Sequence, residues 1–231
     1  MHAEYEPAAA GVTARAAERA LVDRRAQILD AARTVLSRQG YAETSTKDIA
    51  REAGVAPGLL HYYFDSKEEI LVQVVEQLAH EISASHREAV KGVVDPLEAV
   101  ALAMDKAAER CTAPGFCRLL LDAYSLALSS PPVRERLRPA MDEMIRSTAA
   151  TADQIVGELP FVEMGPVTMN DLAVALVGAM DGVAMQATLR GDDPAGAYRA
   201  LKAILLAYVA MSYVLAGQDP PLTKLVDLVF H

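Results

Sequence analysis

The chain has 231 residues, 52% of them hydrophobic, and a formal net charge of −9. This length and apolar content are enough for a small domain joined to a larger one. The negative charge argues against a protein that coats nucleic acid by bulk positive charge.

The first 21 residues are rich in alanine and show no sustained apolar face. We therefore interpret residues 1–21 as a flexible N-terminal arm. A helix is predicted next, because four apolar residues recur on one stripe and Gly40 offers a C-terminal stop. The stripe consists of Ile28, Ala32, Val35 and Leu36.

The segment TKDIAREAGVAPGLLHYYFDSK, residues 46–67, predicts two short helices joined by a tight turn. Ser45 or Thr46 supplies a side-chain oxygen suited to cap the first helix. Gly54 can adopt the positive φ that a sharp turn between helices needs. Pro57 suits the first turn of the second helix, where its missing N–H costs nothing.

The second helix, Pro57–Tyr63, has a face of small, polar and aromatic residues that we expect to remain outside. These residues are Gly58, Leu59, His61 and Tyr62. A short helix with such a face fits the major groove of DNA. Residues 22–66 are therefore a predicted helix-turn-helix DNA-binding domain.

The sequence from Ala26 to Leu71 resembles the DNA-binding domain of the TetR family of transcriptional regulators. The shared pattern is Gly-x-Leu-x-x-Tyr-Phe followed by Ser-Lys-Glu-Glu, with Ala-Ala and Gly-Tyr pairs before it. The matching residues are Ala31, Ala32, Gly40, Tyr41, Gly58, Leu60, Tyr63, Phe64, Ser66, Lys67, Glu68 and Glu69. Pro57, Leu59 and the order His61-Tyr62 depart from the usual pattern, which bears on the base sequence read rather than on the binding mode.

The resemblance implies specific DNA contacts. Four residues would contact phosphates: Thr46, Lys47, Tyr62 and Lys67. Gly58 would allow close approach of the backbone, and Leu59 and His61 are candidates for base contacts. For Leu59, His61 and Tyr62 the alternative of an ordinary surface residue stays open.

Charge is distributed unevenly along the chain. Residues 15–67 carry nine basic and seven acidic side chains, whereas residues 68–231 carry 13 basic and 22 acidic ones. We expect each helix-turn-helix domain to bind DNA with modest affinity that depends strongly on salt. The arginines at positions 15, 19, 24 and 25 leave two roles open, a solvated extension, which is favoured, or an arm that touches the DNA backbone or minor groove.

The remaining residues, 67–231, predict a larger helical domain without a β-strand. Ser66 and Glu69 form a capping box for a long linking helix. Further helices are predicted from Asp95 to Cys111, Phe116 to Leu128 and Pro131 to about Leu159, with a loop from Pro160 to Pro166. The fold class is all-α.

The two closing helices, Asp171–Arg190 and Pro194–Gly217, are apolar around most of their circumference. A helix that is apolar on two sides needs two partners, the core of its own chain and something else. A second copy is the economical candidate, and in the resembling family the last two long helices form such an interface. We therefore expect a homodimer through residues 171–217.

A second predicted site is a small-molecule pocket in the larger domain. Methionines with few large aromatics make an adaptable apolar lining, and charged residues inside apolar helices are candidates to orient a ligand. The candidates are Met104, Phe116, Cys117, Leu120, Tyr124, Met141, Met144, Met180 and Asp181. Ordinary core residues remain the alternative for each of them.

These features predict a ligand-responsive transcriptional regulator, a repressor that binds a palindromic operator as a dimer and is released by a largely apolar molecule. The rival is an all-α carrier or structural dimer without DNA binding. We expect no enzyme, because no catalytic motif occurs, and no cofactor or metal site. The two cysteines, Cys111 and Cys117, are expected to be reduced, buried thiols. The longest uncharged stretch, Ala203–Gly217, is too short to span a membrane. We therefore expect a cytoplasmic protein.

Overall fold

The computed structural model describes residues 8–156 and 167–230, and all regular secondary structure within them is helical. This confirms the all-α prediction. The helices are α1 (Ala8–Gln39), α2 (Thr46–Glu52), α3 (Pro57–Tyr63), α4 (Lys67–Ala89), α5 (Pro96–Cys111), α6 (Phe116–Ser129), α7 (Pro131–Val156), α8 (Met169–Arg190), α9 (Ala195–Leu215) and α10 (Leu222–Phe230).

The chain divides into two compact units, residues 1–74 and residues 75–231. We call them the headpiece and the body. The predicted domain boundary between residues 66 and 67 coincides with the start of α4, whereas the compact units divide inside that helix, after Val74.

The start of α1 differs from the predicted arm. The helix begins at Ala8, so residues 8–21 are helical where a flexible segment was expected, and residues 1–7 lie outside the described part of the chain. The expectation rested on the missing apolar face, which reports packing rather than helix formation. Alanine has the highest intrinsic helix propensity, so an alanine-rich segment can continue a helix without burying a face.

The headpiece core is formed where α1, α2, α3 and the first turns of α4 meet. Its largest side chains are fully buried, among them Ile28, Leu36, Ile49, Leu60, Phe64 and Ile70. Gln27 ties α1 to the end of α2, because its amide donates to the carbonyl of Ala53 at 2.7 Å. Arg25 also packs on this domain, with its guanidinium 5.0 Å from the centroid of the Phe64 ring.

Local signals set the helix ends in the body. Asp95 caps α5 by accepting from the N–H groups of Leu97 and Glu98, both at 3.0 Å. Gly115 has a φ of 79° between α5 and α6, a left-handed conformation that favours glycine. Thr168 and Asp171 form a capping box at the start of α8.

The C-terminal helix α10 lies beyond the last element predicted from the sequence. Lys224 fastens it to the start of α5, because its ammonium group lies 2.6 Å from Asp95 and 2.9 Å from Glu98. Leu225 packs into a cluster of buried side chains that includes Val100 and Leu206. These contacts join residues far apart in the chain.

Helices α8 and α9 are long and apolar enough, by length and composition alone, to cross a membrane. Only 22% of the relevant window of α8 and 28% of that of α9 is buried in the protomer. This agrees with the expectation that both helices are apolar beyond the face that meets their own core. The predicted loop from Pro160 to Pro166 falls outside the described residues.

Candidate nucleic-acid interface and ligand cavity

The turn between α2 and α3 has the geometry that the sequence predicts. Ser45 caps α2 in a reciprocal box with Asp48: the Ser45 hydroxyl accepts from the Asp48 N–H at 3.2 Å, and the Ser45 N–H donates to the Asp48 carboxylate at 3.0 Å. Gly54 has a φ of 64°, in the left-handed region. The N–H of Val55 then donates to the carbonyl of Ala50 at 2.9 Å, which closes the turn.

Helix α3 separates a buried face from an exposed one. Leu60 and Phe64 are fully buried and hold the helix against the headpiece core. The candidate contact residues Gly58 and His61 are exposed, as are 36% of Leu59 and 72% of Tyr62. Such exposure of large apolar and aromatic side chains on a short helix leaves them available to a partner.

The two candidate phosphate ligands at the start of α2 also reach solvent. Lys47 is exposed and Thr46 is half-buried. Both lie in the first turn, where backbone N–H groups without partners inside the helix favour an anion. Together with the four candidates on α3, these two residues make six of the seven predicted DNA contacts that are at least partly exposed on the helix-turn-helix.

Lys67, the seventh predicted contact, is engaged inside the headpiece. Its ammonium group donates to the carbonyl oxygens of Tyr41 and Thr44, both at 2.8 Å, and lies 4.0 Å from the centroid of the Tyr41 ring. Two of its three N–H groups are thereby used. In the free protein Lys67 ties the start of α4 to the loop between α1 and α2.

The neighbouring pair Tyr41 and Glu68 strengthens the same junction. The Tyr41 hydroxyl donates to the Glu68 carboxylate at 2.7 Å. Burial, with the adjacent carboxylate as a smaller cause, raises the pKa of Tyr41, whereas the hydrogen bond from Tyr41 lowers the pKa of Glu68. Glu68 therefore stays ionised as the acceptor of this bond, in the first turn of α4, where a carboxylate is favoured by the helix dipole.

The body contains a partly open cavity of about 330 Å³. Its wall comes from α4 to α9 and is apolar over most of its surface. Five of the nine residues predicted to contact a ligand lie on this wall: Met104, Phe116, Met144, Met180 and Asp181. The volume falls within the range of pockets that bind small molecules.

The other four predicted residues lie away from the cavity wall. Leu120, Tyr124 and Met141 pack in a cluster with Leu78 and Ile82. Cys117 is half-buried and, like Cys111, is a free thiol. Leu120 and Met141 therefore serve the core, which was the alternative interpretation, whereas Tyr124 acts on the cavity through a second residue.

That second residue is Asp181, which interrupts the apolar surface of α8. Its carboxylate accepts a hydrogen bond of 2.7 Å from the Tyr124 hydroxyl. Burial raises the pKa of Asp181, partly offset by this hydrogen bond, and burial also raises the pKa of Tyr124. Asp181 is thus a carboxyl group on the cavity wall that has a neutral donor as its partner.

Two basic side chains, His86 and Arg110, also lie on the wall. His86 is 9% exposed, and burial together with the charge of Arg110 lowers its pKa to about 4. The imidazole is therefore neutral at pH 7. Neither residue was predicted as a ligand contact; in the sequence, Arg110 is an ordinary basic residue in the last turn of α5.

Comparison with known proteins identifies a family for the helix-turn-helix and relatives for the longer chain. Residues 28–74 match the family model described as bacterial regulatory proteins, tetR family. The HTH-type transcriptional regulator BetI of Rhizobium meliloti is 35% identical over 116 residues, 49% of this chain and 57% of that protein. BetI of Brucella canis is 25% identical over 84% of this chain and 93% of that protein.

Solved structures show the same fold over most of the chain. FadR from Bacillus subtilis in complex with stearoyl-CoA has a TM-score of 0.63 at 20% identity, covering 78% of this chain and 96% of that one. A regulator from Saccharomonospora viridis in complex with choline has a TM-score of 0.65 at 21% identity, covering 78% and 94%. The family-model match shows that residues 28–74 belong to the tetR family of bacterial regulatory proteins, and the solved structures show the same helical fold over most of the chain.

Proposed function

We propose that the protein is a ligand-responsive transcriptional repressor that acts in the cytoplasm. It binds a palindromic operator as a homodimer and leaves it when a small, largely apolar molecule occupies the body. The observation that carries this proposal is the combination, in one chain, of an exposed α3 face in the headpiece and a 330 Å³ apolar cavity in the body.

The exposed apolar side chains of α8 and α9 support the homodimer. They include Val174, Leu189, Ile204, Met211, Val214 and Leu215, each between 47% and 76% exposed in the protomer. Several large apolar side chains left exposed on two neighbouring helices support a binding partner. A twofold-related copy would bury the α8 and α9 faces of both chains in one isologous interface.

Dimerisation would supply the DNA contacts that a single headpiece cannot make. The recognition helix α3 has seven residues and four exposed candidates for contact, too few for a specific site by itself. Two copies related by a twofold axis would read two half-sites about 34–36 Å apart, one turn of DNA. The operator would therefore be a palindrome.

The ligand would act by shifting a population of conformations. For this, the ligand must bind a dimer whose α3 helices no longer match both half-sites more tightly than it binds the dimer that fits the operator. A coupling of about 1–3 kcal/mol between the cavity and the DNA would lower operator affinity about 5- to 150-fold. Helix α4 is the candidate carrier of this coupling, because Ile82 and His86 of this helix line the cavity.

The test is fluorescence anisotropy of the full-length protein with DNA from upstream of its own gene. We expect affinity to rise steeply as salt is lowered, as counterions are released from the contacted phosphates. Tyr62→Ala and His61→Ala should weaken binding without loss of helicity. Arg134→Ala, at an exposed position of α7 in the body, is the control and should bind as the parent does.

The rival function, an all-α carrier without DNA binding, predicts a different result. Such a protein would bind ligands in its cavity and show no preference for any upstream palindrome over random duplex of the same length. Its weak DNA binding would not respond to the substitutions in α3. Retention of full operator affinity by both α3 variants would therefore overturn the proposed DNA-binding surface.

A further inference from the structure

The charged groups on the cavity wall are distributed in a way that specifies a ligand class. Among the residues that line the cavity, Arg110 and Asp181 carry ionisable groups of opposite sign. Asp181 is satisfied in part by the Tyr124 hydroxyl at 2.7 Å. No ion pair of Arg110 occurs within the described residues, although the charge of the adjacent Glu109, which is paired with Lys106 at 2.6 Å, also acts on the guanidinium.

The contacts of Arg110 are two weak ones. One guanidinium nitrogen lies 3.5 Å from Nε2 of His86, and the other lies 3.4 Å from the carbonyl oxygen of Lys106. Both distances are at the outer limit of a hydrogen bond. A guanidinium presents five N–H donors in a planar fork that matches a carboxylate, so most of this capacity is unused.

His86 complements this arrangement. A guanidinium can only donate, so a bond between the two side chains requires Nε2 of His86 to accept and places the imidazole proton on Nδ1. The neutral ring therefore orients the guanidinium and does not neutralise its charge. Thr148 and Thr151, which also line the cavity, donate to carbonyls of their own helix, at 2.9 Å each.

A cation without an ion pair beside an apolar cavity is unfavourable unless an anion joins it. The cavity volume of 330 Å³ has room for roughly eleven groups the size of a water molecule at ~30 Å³ each. Resting on the proposed function, we propose that the effector is an amphipathic anion, an alkyl chain of about ten carbons whose carboxylate pairs with Arg110. The chain would lie along the apolar wall, against Met104, Leu176 and Met180.

The experiment is isothermal titration calorimetry of the full-length protein at pH 7.5 with three probes of equal chain length, decanoate, 1-decanol and decyltrimethylammonium. We expect decanoate to bind most tightly. Arg110→Gln should weaken decanoate binding about 10- to 150-fold, the range for a lost charge-assisted bond, and leave 1-decanol unaffected. Arg118→Gln removes the same charge from an exposed position of α6 and should change neither affinity.

Two further variants keep the test decisive. Arg110→Lys retains the charge but not the planar fork, and should weaken decanoate binding several-fold even if Arg110→Gln does not fold. Arg138→Gln, at an exposed position of α7, should leave decanoate binding intact. Equal affinity for decanoate and 1-decanol, tightest binding of decyltrimethylammonium, or no binding of any probe would each overturn the inference.

The outcome is separable from that of the proposed function. DNA binding by the ligand-free protein is measured without any probe, so a regulator that rejects decanoate would still shift its operator. Conversely, a protein that prefers decanoate through Arg110 and ignores every upstream palindrome would retain the anion site and refute the repressor. The two results therefore identify which claim has failed.

Discussion

Replacement of Lys67 by methionine is the most informative perturbation of the headpiece. Methionine keeps most of the apolar stem and removes the ammonium group. In the structure that group donates to the carbonyl oxygens of Tyr41 and Thr44 and lies over the Tyr41 ring. The substitution therefore leaves both carbonyls without this donor and removes a cation–π contact.

The expected magnitude follows from these contacts. A hydrogen bond to a charged group contributes about 1.5–3 kcal/mol, and a cation–π contact at an exposed site about 0.5–1 kcal/mol. Lys67 is only half-buried, so water replaces part of each interaction. We expect the free energy of unfolding of Lys67→Met to fall by ~2 kcal/mol, or about 4–8 °C in Tm for a chain of this size.

Thermal unfolding and hydrogen exchange across residues 41–67 measure this loss. Lys47→Met is the matched control, because Lys47 is exposed at the start of α2. It should keep its stability and lower the salt dependence of DNA binding by about one phosphate contact. If Lys67→Met instead keeps full stability and shows the reduced salt dependence, Lys67 is a phosphate ligand and its described tie is energetically unimportant.

Three further predictions test other parts of the account. In Gly58→Ala the added Cβ meets no atom within 4 Å, so stability should hold or rise by up to ~1 kcal/mol. Anisotropy should show weaker operator binding, because in the proposed complex the Cβ would face the DNA. Unchanged operator affinity would argue against close backbone approach. Val174→Glu with Met211→Glu should yield a monomer in analytical ultracentrifugation, whereas Leu128→Glu, at an 81% exposed position of α6, should remain a dimer; a dimer in both cases would rule out the α8 and α9 interface. The pKa of His86 is about 4 in the folded protein and 6.5 as a free side chain, so between these pH values the unfolded state binds a proton that the folded state does not. The free energy of unfolding should therefore fall by about 3 kcal/mol as the pH drops from 6.5 to 4. Denaturant titrations across this range should show a smaller fall in His86→Gln, and an equal fall would assign the acid sensitivity to other groups.

The helix-turn-helix could be predicted from sequence because its signals are local. Ser45 and Asp48 form a cap within three residues, and Gly54 and Pro57 set the turn and the start of α3 by their own backbone preferences. The side chains of α3 that were expected to remain outside are exposed, and Leu60 is buried on the opposite side. Each of these inferences needs only a few neighbouring residues.

The role of Lys67 could not be predicted in this way. Its partners are backbone carbonyls 23 and 26 residues earlier in the chain, and a carbonyl has no side-chain signature. Helix α10 was missed for a related reason, since its ion pairs join Lys224 to Asp95 and Glu98, more than 120 residues away. Such contacts exist only once the fold has formed.

Residue type alone does not predict which side chains line the cavity and which pack in the core. Met144 and Met141 lie on the same helix with similar chemistry, yet Met144 reaches the cavity wall and Met141 packs at the edge of the adjoining cluster. Periodicity indicates that a face is buried but not whether atoms or empty space lie opposite. Arg110 was overlooked because a basic residue in a last helical turn usually favours the helix dipole, a sufficient explanation without a ligand.

DNase I footprinting of the full-length protein on the DNA upstream of its gene tests the central claim most directly. We expect protection of two inverted half-sites whose centres lie about 10 bp apart, one turn of the duplex, and we expect Tyr62→Ala to lose both together. Protection of one isolated half-site, or no protection at low salt, would contradict a dimeric repressor that reads a palindrome through α3.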